Sequence, residues 1–101
     1  MVSLAYKDAL VESEALSGTG RCDILLTPNN RQNPGVCIEL KRLQTRTTYE
    51  RLQASSRQAL SQIKSRDYGD RLRRSGVKSI LYYGISFVNK TVAITFEKEE
   101  R

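Results

Sequence analysis

The sequence predicts one small α/β domain: a mixed four-stranded sheet flanked by helices, in the order helix, strand, strand, helix, strand, strand. Three observations lead there. Short apolar runs bounded by turn formers occupy residues 21–27, 36–42, 78–87 and 91–97, as strands do. An apolar stripe at helical spacing runs through residues 49–66. The chain has 101 residues, enough for one core and too few for two, so residues 1–101 form a single domain.

The elements follow in order. In residues 4–15, Leu4, Ala5, Ala9, Leu10 and Val11 lie near helical spacing and predict a short helix, broken by Ser17-Gly18-Thr19-Gly20. Residues 21–27 form the first strand. Pro28-Asn29-Asn30-Arg31-Gln32-Asn33-Pro34-Gly35 is dense in turn formers and joins it to the second strand, residues 36–42, as a long-looped hairpin. The main helix spans residues 49–66 and buries Leu52, Ser56, Ala59, Leu60 and Ile63. Thr47 or Thr48 caps it, and Glu50 lies in its first turn. A shorter helix, residues 69–75, ends at Gly76. Strands at 78–87 and 91–97 are joined by a tight turn at Asn89-Lys90. The tail, residues 98–101, is expected to fray. The long helical connection lets the second and third strands run parallel through a right-handed crossover.

Composition narrows the chemistry. Apolar residues make up 39% and charged residues 28%, which places the chain among globular domains. No apolar run approaches the roughly 20 residues of a membrane span, and the N-terminal stretch lacks a signal-peptide layout. A cytoplasmic location without a membrane partner is the expectation. Lys and Arg number 17 against 11 acids, for a net charge of +6. The excess falls mainly between Lys41 and Lys78, a field suited to a polyanion such as nucleic acid. The absence of histidine excludes Ser-His-Asp and Cys-His catalysis. Cys22 and Cys37 are too few for a zinc site or a disulfide framework and read as small core residues.

One constellation could carry a reaction. A strand alternates its faces, so Cys37, Glu39 and Lys41 share one side while Val36, Ile38 and Leu40 share the other. An acid and an amine side by side in an apolar strand cost desolvation energy, which a bound cation facing Asp23 would offset. Asp23 and Glu39, from adjacent strands, can hold a hard cation such as Mg²⁺ through oxygen ligands. Lys41 is placed to orient a water or stabilise a developing oxyanion. The competing reading is an edge strand with one charged face that blocks aggregation. Arg71, Arg73 and Arg74 on the short helix are candidates for contacts to backbone phosphates, with a solvated surface as the alternative.

Four segments extend the pattern. Arg21-Cys22-Asp23-Ile24 after Gly18-Thr19-Gly20, Ile38-Glu39-Leu40-Lys41, Ala59-Leu60-Ser61-Gln62-Ile63 and Gly84-Ile85-Ser86-Phe87 resemble, in this order, the PD-(D/E)XK nuclease superfamily. Within it they are most similar to the small nuclease-like domain that commonly follows an AAA-ATPase-like region. The resemblance runs from about residue 12 to residue 96. It implies a restriction-endonuclease-like fold and a Mg²⁺- or Mn²⁺-dependent nuclease. Asp23 and Glu39 would bind the metal with the backbone carbonyl of Leu40, Lys41 would be the catalytic lysine, and Gln62 would border the site. Tyr68 matches an aromatic that follows the helix, with no role assigned. Members usually carry a further acid just before the glycine pair. Here Leu16 and Ser17 stand there, and the nearest acids are Glu12 and Glu14, either of which would serve after a shift in register. Gly18-Thr19-Gly20-Arg21 lacks the Lys-Ser/Thr of a phosphate loop, which leaves a nucleotide switch without its binding loop.

Two functions compete. The first is hydrolysis of phosphodiester bonds, in DNA before RNA. The second is a catalytically silent module of the same fold that binds nucleic acid or mediates assembly. A homodimer, or fusion to an ATPase-like region, is the expected setting for either.

Overall fold

A computed structural model of the chain describes residues 2–6, 8–18 and 20–101. Its elements are β1 (Val2–Tyr6), β2 (Ala9–Ser17), β3 (Gly20–Pro28), β4 (Gly35–Arg42), α1 (Tyr49–Ser65), α2 (Asp70–Ser75), β5 (Ser79–Val88) and β6 (Thr91–Glu100). The six strands form one sheet in which spatial order equals chain order. Among the described strands only β4 and β5 pair in parallel, with Glu39 opposite Gly84 and Lys41 opposite Ser86. The crossover between them is made by α1 and α2, in agreement with the expected parallel pair.

The expected N-terminal helix, residues 4–15, is instead the hairpin of β1 and β2, so the sheet has six strands and not four. Lys7 and Thr19, which fall on that stretch and the break after it, lie outside the described residues. Ala, Leu and Glu favour a helix locally, but pairing overrides propensity here. β2 lies along the whole of β3, from Ala9 opposite Pro28 to Ser17 opposite Gly20, and supplies the hydrogen bonds that β3 would otherwise present to water. The chain reverses between Ser17 and Gly20, with Gly18 at φ 59°, which a hairpin turn demands of its first central residue. A Cβ on Gly18 would also stand 2.2 Å from the carbonyl oxygen of Arg66.

The remaining elements match the predicted ones closely. Thr48 caps α1, its hydroxyl accepting from the Arg51 N–H at 3.2 Å. α1 buries Leu52, Ser56, Ala59 and Ile63. α2 ends at Gly76 in the left-handed conformation. The tail expected to fray belongs to β6 as far as Glu100, because Glu99 and Glu100 pair with Ile80 and Ser79.

The core lies between the sheet and the helices. Ala15, Cys22, Leu25, Cys37, Ile63, Tyr68, Leu72, Val77, Ile80 and Tyr82 form one buried cluster, and Leu52, Val88 and Ala93 a second. The two cysteines are buried free thiols with their sulfurs 2.8 Å apart. The thiol of Cys37 is held far above its ordinary pKa by its hydrogen bond to Cys22 and by burial. In β5, residues from Ile80 to Val88 alternate buried and half-buried, and the buried set faces the helices. The opposite set continues into β6 as Val92, Ile94 and Phe96, which are exposed. The described helices therefore cover one face of the sheet rather than flanking it on both.

Candidate active site

β3 and β4 separate where the charged residues begin. Their pairing runs from Leu26 opposite Val36 to Ile24 opposite Ile38. One residue further on, the Asp23 carboxylate accepts the Leu40 backbone N–H at 2.8 Å. A side chain thus takes over from the backbone ladder and satisfies a donor that strand separation would orphan. On the helix-facing side of β4, Glu39 is almost fully buried, and Lys41 reaches it at 3.6 Å with its own side chain 37% exposed.

α1 supplies the fourth member. The Lys41 ammonium donates to Gln62 Oε1 at 2.9 Å, and Gln62 Nε2 donates to Glu39 Oε2. One amide therefore bridges the acid and the amine, using its donor and its acceptor at once. Gly84 makes this reach available. It sits opposite Glu39 and directly under α1, where a Cβ would lie 2.2 Å from the Ser56 carbonyl oxygen and 2.6 Å from the Leu60 nitrogen.

The electrostatics are those of two acids forced together. The Glu39 carboxyl is pushed up to about 7, first by burial and then by the neighbouring Asp23 carboxylate, while Lys41 pulls in the other direction. Glu39 Oε1 is buried and has no hydrogen-bond partner among the described residues. Leaving such an oxygen unsatisfied ordinarily costs about 1–3 kcal/mol, more when it is charged. A divalent cation between Asp23 and Glu39 would satisfy it and relieve the repulsion. The residues present therefore fit a hard metal ion.

The structure brings Asp23, Glu39, Lys41 and Gln62 together. Other expectations are revised. Glu12 is buried but engaged, its carboxylate 2.5 Å from Arg71. Glu14 is exposed and carries a positive φ of 51°. Among the described residues no third acid or cysteine joins Asp23 and Glu39 in a cluster able to hold an ion. The Leu40 N–H is spent on Asp23, and its carbonyl is the group left to consider there.

The arginines of α2 serve the fold. Arg71 holds Glu12 and also donates to the Leu16 carbonyl, Arg73 holds Asp67 at 2.5 Å and Glu99 at 2.7 Å, and Arg74 holds Asp70 at 2.9 Å. Each therefore has a carboxylate partner within the molecule, and Arg74 remains exposed in its pair. Tyr68, which carried no assigned role, is fully buried, and its backbone carbonyl accepts from the Ser17 hydroxyl at 2.7 Å. It fastens the loop after α1 to the end of β2.

A mixed sheet with its charged cluster at the splayed β3–β4 junction, bridged from the crossover helix, defines a nuclease-like α/β domain. A family model of the PD-(D/E)XK nuclease superfamily matches residues 2–97, nearly the whole chain, and the chain belongs to that superfamily. No curated relative and no solved structure matches it.

Proposed function

We propose that the chain is a metal-dependent nuclease that hydrolyses phosphodiester bonds, with DNA as its substrate. The observation that supports this most is the buried, unpartnered Oε1 of Glu39 beside Asp23. Asp23, Glu39 and the Leu40 carbonyl would hold Mg²⁺ or Mn²⁺. The ion would supply a Lewis acid that lowers the pKa of water and neutralises charge growing on phosphate.

The protein's own groups do the rest. Gln62 fixes the Glu39 carboxylate through Oε2 and so leaves Oε1 as its available oxygen. The same amide holds the Lys41 ammonium by one of its three protons. The remaining two are free to donate to a phosphate oxygen or to steer the attacking water. Held this way, the ammonium sits ready where negative charge develops and needs little reorganisation.

A cleavage assay on plasmid, linear and single-stranded DNA, with and without Mg²⁺, tests the reading. Asp23→Asn and Lys41→Ala should each lose at least ~10²-fold in rate. Circular dichroism should show both variants folded. Full metal-dependent activity in either one refutes the assignment. A second reading, a nuclease-fold module that binds without cutting, draws on the capture of Glu12 by Arg71. Salt-sensitive DNA binding with no cleavage under any divalent metal would favour it.

A further inference from the structure

With each α2 arginine paired to a carboxylate, the unpaired charge available to a polyanion lies elsewhere. Arg42, Arg46 and Lys90 are exposed and have no carboxylate partner among the described residues. Arg42 ends β4 just beyond Lys41, Arg46 lies in the loop that follows it, and Lys90 lies in the turn that follows β5. The C-terminal ends of β4 and β5 open into a cleft of about 700 Å³ lined by Arg42, Leu43, Gln44, Thr45, Phe87 and Asn89.

The cleft is built from ordered parts. Arg42 stands opposite Phe87 in the β4–β5 register, and the Leu43 N–H donates to the Phe87 carbonyl at 2.9 Å. The loop beyond folds on itself, with Thr47 donating to the Gln44 carbonyl from its hydroxyl at 2.5 Å and from its N–H at 3.3 Å. Among the described residues no carboxylate lines the cleft. It offers one aromatic ring, two amide side chains able both to donate and to accept, a hydroxyl and an unpaired guanidinium.

We propose that this cleft is a nucleobase-binding subsite for a single-stranded segment of nucleic acid. An unpaired base would stack on Phe87, present its edge to Gln44 or Asn89, and place its phosphate against Arg42. A duplex keeps its bases stacked on one another and cannot offer such a face. β4 ends at Arg42, the residue after Lys41, and strand alternation turns Arg42 and Phe87 to the face of the sheet opposite Glu39 and Lys41, so a bound strand passes around the C-terminal end of β4 to join the subsite to the proposed scissile bond. The inference rests on the nucleic-acid reading of the Asp23–Glu39–Lys41 site.

The test is fluorescence anisotropy with labelled dT10, rU10 and a duplex of similar length, in EDTA so that nothing is cut. Phe87→Leu keeps apolar volume but loses the ring, and should weaken dT10 binding at least ~5-fold. Arg42→Ala, a surface change, should weaken it and lower the salt slope by about 0.7. Arg57→Ala removes the same charge from α1 and should change binding less than Arg42→Ala. Comparison of dT10 with rU10 identifies the sugar preferred. The proposal is overturned if wild-type protein does not bind dT10, if it binds duplex more tightly, or if Phe87→Leu and Arg42→Ala both match wild type. Cleavage is scored separately. Phe87-dependent binding without metal-dependent cleavage removes the nuclease reading and keeps the subsite, and cleavage with Phe87-independent binding does the reverse.

Discussion

Replacing Gly84 with alanine should unseat the crossover helix and the site together. The added Cβ would meet Ser56 O at 2.2 Å, Leu60 N at 2.6 Å and the Ala59 Cβ at 3.1 Å. Two of these are helix backbone atoms that cannot rotate away. Ordinary van der Waals contact begins near 3.4 Å, so α1 would have to retreat by about 1 Å. Overpacking of this kind costs about 1–3 kcal/mol, and contact with two backbone atoms of α1 puts Gly84→Ala at the upper end. At 4–8 °C per kcal/mol for a domain this size, Tm should fall by roughly 12 °C or more. The same retreat stretches the 2.9 Å Lys41–Gln62 bond beyond hydrogen-bonding range, so cleavage should fall along with stability. Gly76→Ala is the comparison. Gly76 has a positive φ of 91° but nothing within 4 Å of its Cβ position, and the change should cost about 1 kcal/mol. Thermal and urea unfolding followed by circular dichroism measure both. A Gly84→Ala protein as stable as Gly76→Ala would refute the close approach of α1 to β5 as the basis of the site.

Further outcomes follow from the charged clusters. In EDTA, the Glu39 carboxyl titrates near 7 in the folded chain, above its ordinary 4.5, so the native state binds that proton more tightly than the unfolded state. Stability should therefore fall as pH rises from about 4.5 through about 7, and Glu39→Gln should flatten that slope in urea titrations. Equal slopes would mean that Asp23 and Glu39 do not crowd each other. Arg73→Ala strips Glu99, Asp67 and the Tyr82 hydroxyl of a shared partner and should cost about 2 kcal/mol near neutral pH. Arg73 holds the Glu99 carboxyl below its ordinary value, so this stabilisation is present above about pH 4.5 and lost as pH falls further. The cost of Arg73→Ala should accordingly shrink in acid.

Much of this site could be read in the chain because its residues obey local rules. The Glu39–Lys41 alternation within an apolar strand, the Thr48 cap and the Ala59–Ile63 stripe each depend on near neighbours, and the elements carrying them formed where expected. Residues 9–17 did not yield to the same reasoning. Their Ala, Leu and Glu content suits a helix, and they are extended because β3 lies beside them. The missed signal was Gly18, which belongs to a hairpin turn as readily as to a helix end. The partners of Arg71 and Arg73 were hidden for a related reason. Glu12 and Glu99 lie 59 and 26 residues from the arginines they neutralise, a separation no local pattern reveals.

A sheet whose strands lie side by side in the order of synthesis has a consequence for how the domain tolerates loss. Trimming from either end removes an outermost strand and never one flanked on both sides. The polar quartet, carried by the two middle strands and the helix between β4 and β5, is as remote from those edges as this topology allows. Erosion of the termini would reach this quartet last.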